Sequence, residues 1–310
     1  MGRWFESIRA HHKQMFRKSY LKKNLRSFIN IYKQRPIKNN YSGMKIDHSY
    51  ALFCLLKKIK PKYVIESGVW KGHTTWLIKK ALKDVKIYSI DINLKNIDVF
   101  FKDVEYLNKD ITKYNWNKLN KNKTLIIFDD HVCFSKRLNF IKKNKFKHLI
   151  FDDNLPNGFI SYYTPKMIYE NQILIVKKYI KFTNISRICH FLIDFLFNRN
   201  FYKHTKIFLN LSFLKIIYPK KINIKLNRKF SDFRKRILFY YEFPPITKFD
   251  LNKRFKKVIF NFNEKIDYKK YKVKKPITNL KNLKLDKDIT NEFNEQYSNI
   301  CYIKLKRFLN

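Results

Sequence analysis

Glu66, Asp91, the pair Asp129–Asp130 and the pair Asp152–Asp153 each end a short apolar run, in KYVIE, KIYSID, TLIIFDD and HLIFDD. The chain has 68 Lys+Arg against 24 Asp+Glu, so a carboxylate recurring at one kind of position is a minority choice. In an open α/β sheet, ligands bind in the crevice beyond the carboxyl ends of the strands. Carboxylates there can accept hydrogen bonds from a hydroxyl-bearing cofactor, ligate a divalent cation or take a proton.

Two of the five glycines, Gly68 and Gly72, fall in ESGVWKGHTT directly after the first run. They permit a close turn and let a ligand approach the backbone, and Thr74 or Thr75 can cap the helix that follows. The spacing is ExGxxxG, not GxGxxG, which disfavours a dinucleotide pyrophosphate cradle. Asp91 comes about 20 residues later, where an acid accepts from ribose hydroxyls; a helix N-cap is the structural alternative. Asp110, in EYLNKDITKY, stands where an adenine amino group could be met, although a structural role suits it at least as well.

The doubled acids form the second half. Neighbouring strands ending in FDDH and FDDN would pack four carboxylates side by side, raising one another's pKa unless a cation intervenes. Oxygens from Asp130, Asp152, Asp153 and Asn154 suit Mg²⁺. His131 could accept the proton of a substrate hydroxyl; a structural hydrogen-bonded role is the alternative.

Positioning these groups requires a parallel sheet. The pattern gives a helix over 47–60 ended by Pro61, then strands at 63–66, 86–91, 104–107, 124–130 and 148–153. Helices at 74–82 and 135–143 alternate with them, and near-continuous apolar strands fit a sheet covered on both faces. The expectation is a Rossmann-like, doubly wound, mostly parallel seven-stranded sheet, completed by ILFYYEFPP (237–245) and NICYIKLKRF (299–308). Residues 160–235, with a helix over 165–180, are expected to form a helical insertion or lid. Residues 1–45, with twelve Lys/Arg and one acid, are expected to form a helical arm before a domain spanning 46–310. The arm could rest on an anionic membrane, or pack on the domain with its charged face in water.

The formal net charge of +44 accompanies abundant Lys, Asn, Ile, Phe and Tyr and scarce Gly. An A/T-rich coding sequence would produce that bias, which weakens charge as evidence for nucleic acid. The four cysteines form no CxxC pair, excluding common zinc spacings and favouring a reducing, cytoplasmic setting. No signal-peptide pattern or membrane-length apolar run is present, and Glu6 breaks the myristoylation pattern that Met1-Gly2 opens.

VIESGVWKGHTT, IFDDHVCFSKRL, HLIFDDN, YYEFPP and YSNICYIKLK, in this order, resemble class I S-adenosylmethionine-dependent methyltransferases. The likeness covers about 45–160 and 237–310. It is strongest to metal-dependent O-methyltransferases of the cephalosporin-hydroxylase/rhamnosyl group and to methyltransferase-like proteins of algal viruses and marine microbes. The resemblance implies that Glu66, Gly68, Gly72 and Thr74 line the cofactor, with Asp91 on the ribose and Asp110 near adenine. It implies metal ligation by Asp130 and Asp153, with Asp152 or Asn154 as the third ligand. The catechol type has a general-base lysine where this chain has Cys133, which leaves His131 as the base beside Asp130. A sugar or glycan hydroxyl becomes the expected acceptor; RNA methylation and a non-catalytic, membrane-associated binding role are the alternatives.

Overall fold

The computed structural model describes residues 15–40, 43–155, 162–182, 206–210, 213–247, 274–279, 283, 285–292 and 300–306. The arm's remaining residues, Cys189 and the aromatic stretch 183–205 lie outside them.

Two helices precede the sheet, α1 (Lys18–Lys33) and α2 (Ile46–Ile59). Leu21, Leu25, Phe28, Ile29 and Tyr32 recur at helical spacing along α1 and are buried. Phe28 packs on Phe53 of α2 with ring centroids 5.6 Å apart, and the Tyr20 hydroxyl donates to the Cys54 carbonyl at 2.9 Å. This part of the arm therefore packs on the domain. α2 stops at Lys60, which turns left-handed (φ 47°) ahead of Pro61.

Strands β1 (Tyr63–Ser67), β2 (Lys86–Ile90), β3 (Glu105–Leu107), β4 (Thr124–Phe128) and β5 (His148–Phe151) follow. Helices α3 (His73–Ala81) and α4 (Phe134–Asn144) lie between them in sequence. Later come β9 (Ile237–Glu242) and β10 (Cys301–Leu305). The seven-stranded sheet has the order β3-β2-β1-β4-β5-β10-β9. All pairs among β1 to β5 are parallel, whereas β10 runs antiparallel to both β5 and β9. The expected Rossmann-like, mostly parallel sheet is present.

Side-chain alternation divides the core between the two faces. Val64, Ile87, Leu125, Ile127, Ile150 and Tyr302 pack with α1, α2 and α3. Ile65, Ile126, Phe128, Leu149, Phe151 and Ile303 pack with α4.

The insertion departs from the all-helical expectation. The helix over 165–180 shrinks to α5 (Pro165–Tyr169), and Asn171 turns left-handed at φ 57°. The chain continues as β6 (Leu174–Phe182), which joins β7 (Lys206–Asn210) and β8 (Phe213–Ile224) in an antiparallel sheet ordered β6-β8-β7. In LIVKKYIKF, β-branched and aromatic residues favour strand once the turn at Asn171 breaks the helix. Helix α6 (Arg228–Arg236) leads back to β9.

One further helix, α7 (Lys287–Glu292), is fastened to the arm by ionic contacts. The buried Arg35 reaches Asp288 at 2.8 Å and Glu292 at 3.0 Å, and Tyr32 donates to Glu292 at 2.6 Å. Among the described residues, no helix is long and apolar enough to cross a membrane.

Candidate functional site

Sheet register sets the acids in line. Ile90, Ser67, Phe128, Phe151, Cys301 and Glu242 form one row of partners across the strands. One residue past this row stand Asp91, Gly68, Asp129 and Asp152. Strand order reverses between β1 and β4, the position at which open α/β sheets bind ligands.

The β1–β2 half is built on neutral donors. Glu66 is fully buried; its Oε2 accepts from the Thr75 hydroxyl at 2.6 Å and the Ser89 hydroxyl at 2.7 Å. Its Oε1 is buried without a hydrogen-bond partner, and burial pushes the carboxyl up to about 7 despite those hydroxyls. Gly68 and Gly72 adopt φ 97° and 88°. A Cβ on Gly68 would lie 2.1 Å from the Asp129 carbonyl oxygen, and one on Gly72 would lie 2.4 Å from that of Val99. Both positions therefore require glycine.

Asp91 holds this glycine turn. Its Oδ2 accepts from the amides of Val69 at 2.9 Å and Trp70 at 3.2 Å, while Oδ1 accepts from the amide of Asn93 at 3.0 Å. An ionised carboxylate offers about four acceptor positions, so capacity for a hydroxyl remains. Trp70 on the glycine turn, and Ile92 and Phe100 on the segment after Asp91, are 41%, 80% and 65% exposed.

Two expected cofactor contacts take other partners. Thr74 is buried with its hydroxyl toward the Met44 sulfur at 4.0 Å, one helix position away from the face that Thr75 presents to Glu66. Neither threonine caps α3, whose N-cap is Gly72. Asp110 caps a short 3₁₀ turn through the Thr112 amide and is gripped by Arg137 at 3.1 and 2.9 Å. Burial opposes its ionisation, yet Arg137 and Thr112 hold its carboxyl down at about 2. Its structural alternative is the arrangement observed.

The β4–β5 half is built on basic side chains. Asp130 accepts from the Ser67 hydroxyl and pairs with Arg137 at 2.8 Å. Asp152 lies 2.5 Å from Nδ1 of His48, a residue of α2. Burial raises the Asp129 carboxyl well above its usual range, reinforced by the charges of Asp152 and Asp153 and by a hydrogen bond to Asp152. Burial would raise Asp152 too, but His48 and that hydrogen bond keep it low. Asn154 is buried; its Oδ1 accepts from the Lys166 amide at 2.8 Å and its Nδ2 donates to the Tyr240 hydroxyl at 2.9 Å.

Asp130, Asp152 and Asp153 thus have separate partners, and among the described residues no group of three His, Cys, Asp or Glu side chains converges to hold a metal. As arranged, these donors do not fit the expected Mg²⁺. Strand-end placement brings the acids to one edge, but each meets a basic side chain there: Arg137 at Asp130, His48 at Asp152 and His131 at Asp153.

His131 sits in the left-handed region (φ 53°), directly past β4. Its Nδ1 is 2.8 Å from Asp153 Oδ2, and its side chain is 68% exposed. The hydrogen bond to Asp153 outweighs burial and raises the imidazole to about 9. His131 and Asp153 border a small cavity with Asp130, Phe151, Tyr162 and Tyr163. A carboxylate that orients an imidazole in this way leaves the other ring nitrogen to exchange a proton with a ligand.

Sequence reasoning missed Arg137 and His48. Arg137 joins Asp130 to Asp110, 27 residues before it, and His48 is 104 residues from Asp152; no local spacing announces these two longer pairings.

No family model matches the chain, and no curated protein matches it. Similar solved structures include CmcI with Mg-SAM, at 13% identity over 59% of this chain and 78% of that one, TM-score 0.32. The O-methyltransferase from Bacillus cereus in complex with SAH is similar at 11% identity over 56% and 88%, TM-score 0.32. TomG from Streptomyces achromogenes, an O-methyltransferase of tomaymycin synthesis in complex with SAM, is similar at 10% identity over 58% and 91%, TM-score 0.34. Scores this low add no weight to a functional assignment, and the fold assignment rests on the strand order and register above.

Proposed function

We propose that the chain is an S-adenosylmethionine-dependent O-methyltransferase whose acceptor is a sugar or glycan hydroxyl. The observation that carries this reading is the Asp91 carboxylate, closed on the amides of Val69 and Trp70 at the reversal of strand order. It couples a hydroxyl-accepting acid to a glycine turn that side chains would block. Gly68 and Gly72 let the ligand approach the backbone, Asp91 accepts from its ribose, and the exposed Ile92 and Trp70 offer apolar surface to a base. The unpartnered, buried Glu66 Oε1 suits a cationic amino group. Bound S-adenosylmethionine would supply an electrophilic methyl group.

On the acceptor side, His131 would take the hydroxyl proton while Asp153 orients the ring. With its proton held up to about 9, His131 is in the acid form at neutral pH, and base function grows as pH rises. Divalent metal has no step in this reading, because Asp130, Asp152 and Asp153 are occupied separately. The sugar acceptor follows from the motif resemblance and is the finer part of the proposal.

Calorimetric titration of the full chain with S-adenosylmethionine, with Mg²⁺ and then with EDTA, tests it. Binding that Asp91→Ala weakens about 30- to 100-fold and EDTA leaves unchanged is the expected result. No binding in either buffer would overturn the reading in favour of a non-catalytic protein on this fold.

A further inference from the structure

A second concavity lies away from the acid row. Helices α4 and α6 are packed together through Phe134 and Phe233, whose ring centroids are 5.1 Å apart. Lys229 also donates to the Ser135 carbonyl across them at 3.4 Å. Between the helices is a cavity of about 680 Å³ whose floor includes Leu138, Ile141 and Phe233. It extends to Lys306, whose amide donates to the Arg236 carbonyl just beyond the end of β10. Since Lys304 of β10 is paired with His148, the first residue of β5, this end lies at the opposite edge of the sheet from Asp129 and Asp152.

The rim is cationic. Lys142, Arg228, Lys229, Lys235, Arg236 and Lys306 make six of the ten lining residues, against 68 Lys+Arg among 310 in the whole chain. The lining holds one acid, Asp232, which is exposed and 4.0 Å from Lys235. General basicity of the chain accounts for about two cations in ten, so the rim is enriched almost threefold. The size suits a small ligand, for which pockets span about 300–1,000 Å³. A hydrocarbon body would lie along the aliphatic stems of the lysines and arginines above that floor, and phosphate oxygens would meet their guanidinium and ammonium groups at the rim. Single-stranded nucleic acid fits less well, because it requires exposed aromatic faces for stacking, and Phe233 is only 4% exposed.

We propose that the α4–α6 cavity binds a phosphorylated amphiphile, with its alkyl chain against the aliphatic side-chain stems that line the cavity and its phosphate on the basic rim. This proposal is independent of methyl transfer. Dodecyl phosphate, kept below its micelle concentration, is titrated calorimetrically into the full chain alongside inorganic phosphate and neutral dodecyl maltoside. The expected result is one-to-one binding of dodecyl phosphate at least tenfold tighter than either control.

The rim variant Lys142→Glu/Lys229→Glu/Lys235→Glu is expected to weaken that binding at least tenfold with an unchanged melting temperature. The control variant Lys22→Glu/Lys23→Glu/Arg26→Glu, on exposed positions of α1, is expected to leave it unchanged. Equal losses in both variants would reduce the effect to overall charge and overturn the site. Equal affinity for inorganic phosphate or dodecyl maltoside would overturn the amphiphile. Tenfold tighter binding of a mixed-sequence single-stranded RNA that displaces dodecyl phosphate would overturn it in favour of nucleic acid.

Discussion

The two halves of the acid row use the same residue type for different work. At the ends of β1 and β2, Glu66 and Asp91 accept from hydroxyls and backbone amides. At the ends of β4 and β5, Asp130, Asp152 and Asp153 face Arg137, His48 and His131. Neutral donors satisfy part of a carboxyl group and leave acceptor capacity for a ligand. Cationic partners consume the charge and set the geometry of the edge. Acid density at strand ends therefore identifies where a ligand can bind, while the partners decide which acids are available to it.

Removing a cation from the second half should have the largest effect. Arg137 is 3% exposed and holds both Asp110 and Asp130. Arg137→Met strands two carboxylates and is expected to cost about 3 kcal/mol of stability, read by urea unfolding. A loss below about 0.5 kcal/mol, the level of an ordinary surface substitution, would break the comparison.

In the first half, Asp91→Ala should weaken S-adenosylmethionine binding about 30- to 100-fold, the equivalent of roughly 2–3 kcal/mol for a hydrogen-bonded charged group. Calorimetry on a variant shown by circular dichroism to be folded checks this. Unchanged affinity would assign Asp91 to holding the turn alone.

Glu66 sharpens the contrast through pH. Burial raises its carboxyl from 4.5 to about 7, so the folded state favours the protonated form. That stabilisation is fully present below pH 4.5 and is lost as pH rises through 7. Glu66→Gln, which keeps an acceptor for Thr75 and Ser89, should remove this dependence and stabilise the fold at pH 8 by about 3 kcal/mol. Parallel urea curves for variant and wild type at pH 5 and 8, separated by the same amount, would contradict the assignment.

The smallest effect concerns the proton acceptor. With His131 held up to about 9 by Asp153, methyl transfer should rise with pH toward that value. Asp153→Asn should move the rise downward, toward the ordinary histidine range near 6.5. A pH–rate profile that the substitution leaves in place would remove His131 from the chemistry.

Much of the sheet was legible because each strand carries its own pattern. The runs expected at 63–66, 86–91, 124–130 and 148–153 became Tyr63–Ser67, Lys86–Ile90, Thr124–Phe128 and His148–Phe151. The acids expected inside three of those strands, Asp91, Asp129–Asp130 and Asp152–Asp153, are the loop residues just after them. The stretch LIVKKYIKF was harder, since a short apolar segment satisfies helix and strand alike and only the turn at Asn171 separates them. The site was legible to the same degree. Gly68, Gly72 and Asp91 signal through mutual spacing, whereas the pairing of Asp110 with Arg137 and of Asp152 with His48 depends on packing between distant segments.

β10 is the last described strand in sequence, yet it lies inside the sheet, between β5 and β9. Cys301 must find Phe151, 150 positions earlier, before β9 has anything to join. During synthesis, therefore, the growing polypeptide carries β5 as an open edge until residues 301–305 leave the ribosome. Such an edge templates pairing with other chains, and contacts this distant in sequence form slowly. Closure of the sheet is thus a late event, and the interval before it is when a nascent molecule most needs shielding from its neighbours.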